Sequence, residues 1–104
     1  MIKKEYRLPS YAFKKIYQKG QSERGEAFIL KKLLTQKPFS RFGVVISTKV
    51  NKKATKRNLL RRRIFATIFE INDKIKSGYD FIVTVKKELD FPEAEKEIRK
   101  LFHV

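Results

Sequence analysis

A stripe of five aliphatic residues in the middle of the chain constrains the fold more than any other feature. The residues follow one another at spacings of four, four, three and four, which places them on one face of an α-helix. The pattern predicts a long helix from Lys53 to about Asn72. Phe65 and Phe69 widen the apolar face, so we expect this helix to pack on more than one side. The stripe consists of Leu60, Ile64, Ile68, Ile71 and Ile75.

Two shorter helices are predicted on either side of the long one. The first begins at Pro9-Ser10, where the Ser10 hydroxyl can cap a free backbone N–H, and it ends at Gly20. The last begins at Asp90, which forms the pattern of a capping box with Glu93. Its apolar face consists of Phe91, Ala94, Ile98, Leu101 and Phe102.

Strands are predicted over residues 26–34, 41–48 and 79–86, where β-branched and aromatic residues are concentrated between turn signals. The elements then follow the order helix, two or three strands, helix, strand, helix. This order predicts an α+β fold over residues 1–104, a single-domain two-layer sandwich in which helices cover a small mixed sheet.

The positive charge is concentrated in one part of the chain. The formal net charge is +15, from 26 Lys and Arg against 11 Asp and Glu. Residues 27–69 carry twelve basic and no acidic side chains, whereas residues 70–104 carry seven basic and eight acidic ones. Repulsion within such an excess of positive charge destabilises the compact fold unless a polyanion binds. Its concentration in one part of the chain indicates a binding face for nucleic acid.

Several classes of site and location are disfavoured by composition. The chain has no cysteine and one histidine, His103, so disulfides and thiolate metal sites are excluded and a cytoplasmic location is expected. No signal-like or membrane-spanning apolar stretch is present, so no membrane partner is expected. The acidic residues Glu93, Glu95 and Glu97 are predicted to form a solvated helix face.

The start of the long helix is the candidate binding segment. A helix N-terminus presents unpaired N–H groups and a partial positive charge, and arginine adds a planar fork that matches phosphate oxygens. Cations are slightly unfavourable for stability at this position, so their concentration favours binding. The basic residues of the segment and its entry are Lys49, Lys52, Lys53, Lys56, Arg57, Arg61, Arg62 and Arg63.

The first helix offers a second candidate surface. Phe13 and Tyr17 are four residues apart and lie among Lys14, Lys15 and Lys19. Aromatic rings among lysines can stack unpaired bases while the lysines follow the phosphate backbone. The same spacing also suits a packed helix, and from residue types alone a core role for both aromatics is favoured.

Together these segments resemble the protein subunit of bacterial ribonuclease P over almost the whole chain. The closest part runs from Arg41 to Val50 and then from Ala54 to Ile64, a strand followed by a helix that opens on an Arg-Asn core. Phe13 to Tyr17 with Gly20, and Asp80 to Val83 before the last helix, support it. Leu59 stands where the family motif has a second arginine, Thr48 replaces a lysine, and Phe65-Ala66 replaces Arg-Glu.

The resemblance implies a left-handed strand–helix–strand crossover through the arginine-rich helix. It also implies that an RNA subunit with Mg²⁺ hydrolyses precursor tRNA to remove the 5′ leader, while the protein has no catalytic residue. The implied partners are ribonuclease P RNA and precursor tRNA. The motif adds Asn58 to the basic residues above as an RNA contact. It places the precursor leader in a cleft between the first helix and the sheet, with Phe13, Lys14, Tyr17 and Ser47.

Two other classes of protein fit parts of the pattern. A ribosomal or other structural RNA-binding protein would have the same size and charge. A DNA-binding regulator could place the arginine helix in a major groove, but a strand and not a helix precedes it, and no DNA partner is expected. A self-sufficient nuclease is disfavoured because residues 27–69 contain no carboxylates to hold two metal ions.

Overall fold

The computed structural model describes residues 6–104, so the first five residues of the predicted domain lie outside the described part. The α+β class and the predicted order of elements are confirmed, with three strands before the long helix. Within the described part, no helix is both long and apolar enough to cross a membrane. The elements are α1 (Phe13–Lys19), β1 (Gln21–Arg24), β2 (Phe28–Leu34), β3 (Arg41–Ile46), α2 (Ala54–Ile71), β4 (Tyr79–Val85) and α3 (Phe91–Leu101).

The four strands form one mixed sheet in the order β1-β2-β4-β3. β2 pairs antiparallel with both β1 and β4, and β3 pairs parallel with β4. Parallel neighbours require a crossover connection, and α2 provides it. The predicted strand–helix–strand unit is therefore present, and its left-handed sense stays a prediction.

One face of the sheet is covered by α2 and α3 and holds the main core. Alternate residues of β2, β3 and β4 point to this face because side chains alternate along a strand. Phe42 stacks on Phe81 with ring centroids 5.4 Å apart, and Phe102 packs edge-on against both rings. From the helices, this core contains Ile64, Ile68, Ile71, Ala94, Ile98 and Leu101.

The opposite face carries a smaller apolar cluster under α1, which adds a helix beyond the predicted two layers. Ala12 and Ile16 pack with Leu8 onto Ile82, which is fully buried at the centre of the sheet. Ile82 pairs with Lys31 on one side and Gly43 on the other. Since α1 has only seven residues, it covers the middle of this face and leaves the rest accessible.

Neither predicted cap residue makes a side-chain capping bond, although the predicted start of the last helix at Asp90 is confirmed. A single 3-10 turn over Ser10–Ala12 precedes α1, and Pro9 is its cap, so Ser10 already lies inside the turn and its side chain caps nothing. Asp90 does cap α3, but its side chain makes no capping bond. Pro92 in the first turn has no N–H to donate, which removes one of the two groups that an N-cap side chain can bind.

The apolar stripe of α2 is confirmed, but the widened face is confirmed only at Phe65, which packs against the core. Ile64, Ile68 and Ile71 are buried, whereas the Phe69 side chain is 45% exposed. The sheet and α3 cover only one side of α2, and Phe69 lies about 100° around the helix from Ile68. α2 ends at Ile71, and Ile75 packs against the core after a further 3-10 turn.

The prediction of a solvated face for the acidic residues of α3 fails at Glu97. Its Oε1 accepts hydrogen bonds from the backbone N–H groups of Ala27 (2.8 Å) and Phe28 (3.4 Å). A side chain at Gly25 would collide with this carboxylate, with an added Cβ only 2.0 Å from Oε1. Glu97 therefore fastens the β1–β2 hairpin to α3.

Candidate nucleic-acid interface

The first turn of α2 has no acidic residue of its own, although Glu88 accepts a hydrogen bond from Asn51 Nδ2 in the entry loop. Lys53 is the cap residue in an extended conformation, and the first turn contains no Asp or Glu. The Asn51 side-chain oxygen accepts a hydrogen bond from the Lys53 backbone N–H at 2.9 Å, which holds the entry loop in a tight turn. The remaining free N–H groups of the first helical turn keep their partial positive charge.

Arg57 has a structural role in this entry loop. Its Nη1 donates to the backbone oxygens of Asn51 (2.8 Å) and Lys52 (3.0 Å), and the side chain is partly buried. These bonds fix the loop against the first turn of α2. Nε and Nη2 carry three further N–H donors, so the same side chain can also bind a phosphate.

The other three arginines of the segment differ in the contacts that their side chains make. Arg61 donates from Nη1 to Asn58 Oδ1 at 2.8 Å, so the two predicted contacts orient each other. Arg63 lies 5.0 Å above the ring of Phe91 and is drawn toward α3. Arg62 is exposed, as are the predicted Ser47, Lys49, Lys52, Lys53 and Lys56.

The two aromatic residues predicted on α1 differ in how far they are buried. Phe13 is partly buried and Tyr17 is 43% exposed, with ring centroids 6.4 Å apart. Phe13 lies against β3 at Gly43, where an added Cβ would stand 2.6 Å from the end of the ring. Gly43 therefore makes room for Phe13. Phe13 therefore has the packing role that its spacing predicted, whereas Tyr17 is exposed, and the stacking of bases on these rings stays a prediction.

Lys31 of β2 lies next to Tyr17 and, with Phe13 and Tyr17, forms the wall of a cleft. Its Nζ donates to the Tyr17 backbone oxygen at 2.9 Å and lies 5.6 Å from the centre of the Tyr17 ring. The ammonium group is thus held beside an exposed aromatic ring. A positive charge next to a stacking surface suits a nucleotide, which carries both a base and a phosphate.

The sheet beside α1 forms the floor of a cleft. Ile29, Thr84 and Val45 occupy one row across β2, β4 and β3, on the same face as Ile82, and all three are partly exposed. We call this floor with its wall the aromatic cleft. It consists of Phe13, Tyr17, Ile29, Lys31, Val45 and Thr84.

The aromatic cleft and the start of α2 lie at the same end of the sheet. Val45 is the second-last residue of β3, and the chain continues through Ser47 into the basic entry loop of α2. Lys14, the remaining predicted cleft residue, is exposed on α1. The geometry therefore brings both sequence-predicted surfaces to one end of the molecule.

Sequence reasoning did not identify Lys31 or the floor residues. The signal available was the alternation Ile29-Lys31-Leu33 in β2, but nothing in the sequence says which face of the strand α1 covers. Asn51 was also overlooked, and its signal was an Asn two residues before the first residue of a predicted helix. Among residues 6–104, no three acidic or histidine side chains converge in a way that could hold a metal ion.

Comparison with known sequences identifies close relatives. The family model described as Ribonuclease P matches residues 2–104. The ribonuclease P protein component of Bacillus mycoides is 35% identical over 94 residues, which cover 86% of this chain and 81% of the relative. That of Synechocystis is also 35% identical over 94 residues, covering 86% of this chain and 76% of the relative.

Solved structures with the same fold cover nearly the whole chain. The RNase P protein from Thermotoga maritima, in complex with 1-(4-fluorophenyl)-2-thiourea, superposes with a TM-score of 0.86 at 27% identity, over 92% of this chain and 96% of that protein. The Staphylococcus aureus RNase P protein superposes with a TM-score of 0.83 at 20% identity, over 94% of this chain and 93% of that protein.

Proposed function

The chain belongs to the family of ribonuclease P protein components, and from that premise we propose how it acts in tRNA 5′-end maturation. It is the protein subunit of ribonuclease P and a partner of the ribonuclease P RNA. In the proposed assembly the RNA subunit hydrolyses the precursor and the protein binds both RNAs. The proposed location is the cytoplasm.

The observation that carries the proposal is the position of two different binding surfaces at one end of the sheet. The start of α2 offers arginine forks and helix N–H groups, which suit the phosphates of a folded RNA. The aromatic cleft offers an exposed ring and an apolar floor, which suit the bases of an unpaired strand. A precursor has both parts, a folded tRNA body and a single-stranded leader.

The protein's contribution is therefore binding and orientation. Held at the cleft, the leader would be fixed relative to RNA bound by α2, and this turns a loose encounter into an ordered one. Mg²⁺ is proposed to be bound mainly through the RNA, whose phosphates supply its preferred oxygen ligands. No step assigned to the protein passes through a protein-bound ion.

Reconstitution tests the proposal. Precursor cleavage by ribonuclease P RNA should be faster at low Mg²⁺ when the protein is added, whereas RNA-free protein should not cleave. Equal cleavage with and without the protein would contradict the subunit's role. Efficient Mg²⁺-dependent cleavage by RNA-free protein would overturn the assignment of catalysis to RNA.

A substitution in the aromatic cleft tests whether this cleft binds the leader. Phe13→Ala should weaken holoenzyme binding of leader-bearing precursor about fivefold or more, because stacking contributes ~1–3 kcal/mol per base. Binding of mature tRNA should change little, since it has no leader. Equal losses for both RNAs would remove Phe13 from the leader cleft.

A further inference from the structure

A second groove lies on the other side of α1 from the aromatic cleft. The helix crosses the sheet at Ile82, so the row that contains Arg41, Asp80 and Leu33 lies on its far side. This row belongs to the opposite end of the sheet from the start of α2. We call it the Tyr11 groove, and it is lined by Tyr11, Lys15, Leu33, Lys37, Arg41 and Asp80.

Tyr11 is unusually accessible for an aromatic residue. Its side chain is 80% exposed, and Leu34, which also borders the groove, is 67% exposed. No other large apolar residue within residues 6–104 exceeds 45%. The two most exposed apolar side chains of the described part thus border one groove, and such grouping indicates a binding surface more than scattered exposure does.

The charge of the groove favours an anion. Arg41 and Asp80 form a partly buried pair, with Arg41 Nε and Nη2 donating to the two carboxylate oxygens at 2.9 and 2.7 Å. The hydrogen bond to Asp80 raises the pKa of Arg41 against the opposing effect of burial, and Tyr11 adds to the increase. The pair is neutral as a unit, so Lys15 and Lys37 leave the groove with a positive balance.

We propose that the Tyr11 groove binds an unpaired nucleotide of the precursor leader, beyond those held in the aromatic cleft. The base would stack on the Tyr11 ring, and Lys15 and Lys37 would contact the flanking phosphates. A strand that passes over α1 covers about 10 Å, the width of a helix, before it reaches this groove. The leader is the favoured occupant because the groove faces away from the arginines of α2. This inference rests on the proposed function.

The test uses the holoenzyme and a series of precursors whose leaders are lengthened one nucleotide at a time. With the wild-type protein, affinity should rise a second time when the leader becomes long enough to cross α1. Tyr11→Ala should abolish this second rise, a loss of about fivefold or more. Tyr11→Phe should keep it, because the ring is retained. Folding should not limit the test, since Tyr11 is so exposed.

Three results would overturn the proposal: an unchanged leader series with Tyr11→Ala, an equal loss at every leader length, or a loss that appears when the protein binds the RNA subunit alone. The last would assign the groove to that RNA. Failure of the proposed function is distinguishable, because the wild-type protein would then show no leader-dependent gain at any length. If only this inference fails, the first gain remains and stays sensitive to Phe13→Ala.

Discussion

The two faces of the sheet differ in how they are covered, and the difference separates stability from binding. On one face α2 and α3 bury a continuous core of aromatic and aliphatic side chains. On the other, the seven residues of α1 cover the centre and leave a groove on each flank. Burial of apolar area is the main stabilising contribution in a domain of this size. The covered face therefore stabilises the fold, and the open face remains accessible to ligands.

The largest effect expected from this comparison is loss of stability on the covered face. Phe42 is fully buried and contacts the rings of Phe81 and Phe102, so Phe42→Ala should reduce the free energy of unfolding by about 3–5 kcal/mol. The matched change on the open face, Tyr17→Ala, should cost less than about 1 kcal/mol. Urea denaturation measures both. Similar losses for the two variants would contradict the division of labour between the faces.

An intermediate loss of stability is expected at the contact between Gly43 of β3 and the Phe13 ring of α1. Gly43→Ala places a methyl group 2.6 Å from the end of the Phe13 ring, so the ring must move, at a cost of about 1–3 kcal/mol. Leader binding should weaken with it.

The double variant identifies the cause of that cost. Gly43→Ala in a Phe13→Ala background should cost clearly less, because the side chain that the methyl group meets has been removed. If the two changes were additive, strain elsewhere in β3 would be responsible for the loss and Gly43 would have no special relation to Phe13.

The fold was predictable where one periodicity dominates. The stripe predicted α2, which contains four of its five residues, and the alternation predicted β4; the bounds of both elements were predicted to within two residues. β1 was not specified, because Gln21–Arg24 contains only polar residues and a glycine follows it. Its pairing with β2 makes it a strand, and this depends on tertiary contacts that local propensity does not describe.

The basic residues of the candidate site could be listed from the sequence, but the contacts that each of them makes could not. The basic residues of α2 share one chemistry in the sequence, yet Arg57 holds the entry loop, Arg63 lies over Phe91, and Arg62 is exposed. Which of them is structural depends on carbonyl groups and rings that come near only after folding. The same applies to Lys31, whose importance depends on which face of the sheet α1 covers.

The smallest expected loss of stability concerns two arginines of α2, the exposed Arg62 and the hydrogen-bonded Arg57. Arg62→Ala should leave stability unchanged within about 0.5 kcal/mol, since the side chain is exposed. Arg57→Ala should cost about 1 kcal/mol more, because two backbone carbonyls in the entry loop lose their donor. Each variant should lower the slope of log affinity for ribonuclease P RNA against log salt by about one unit per lost phosphate contact. If Arg57→Ala lowered stability and left the slope unchanged, Arg57 would be a purely structural residue and would not belong to the phosphate contacts of α2.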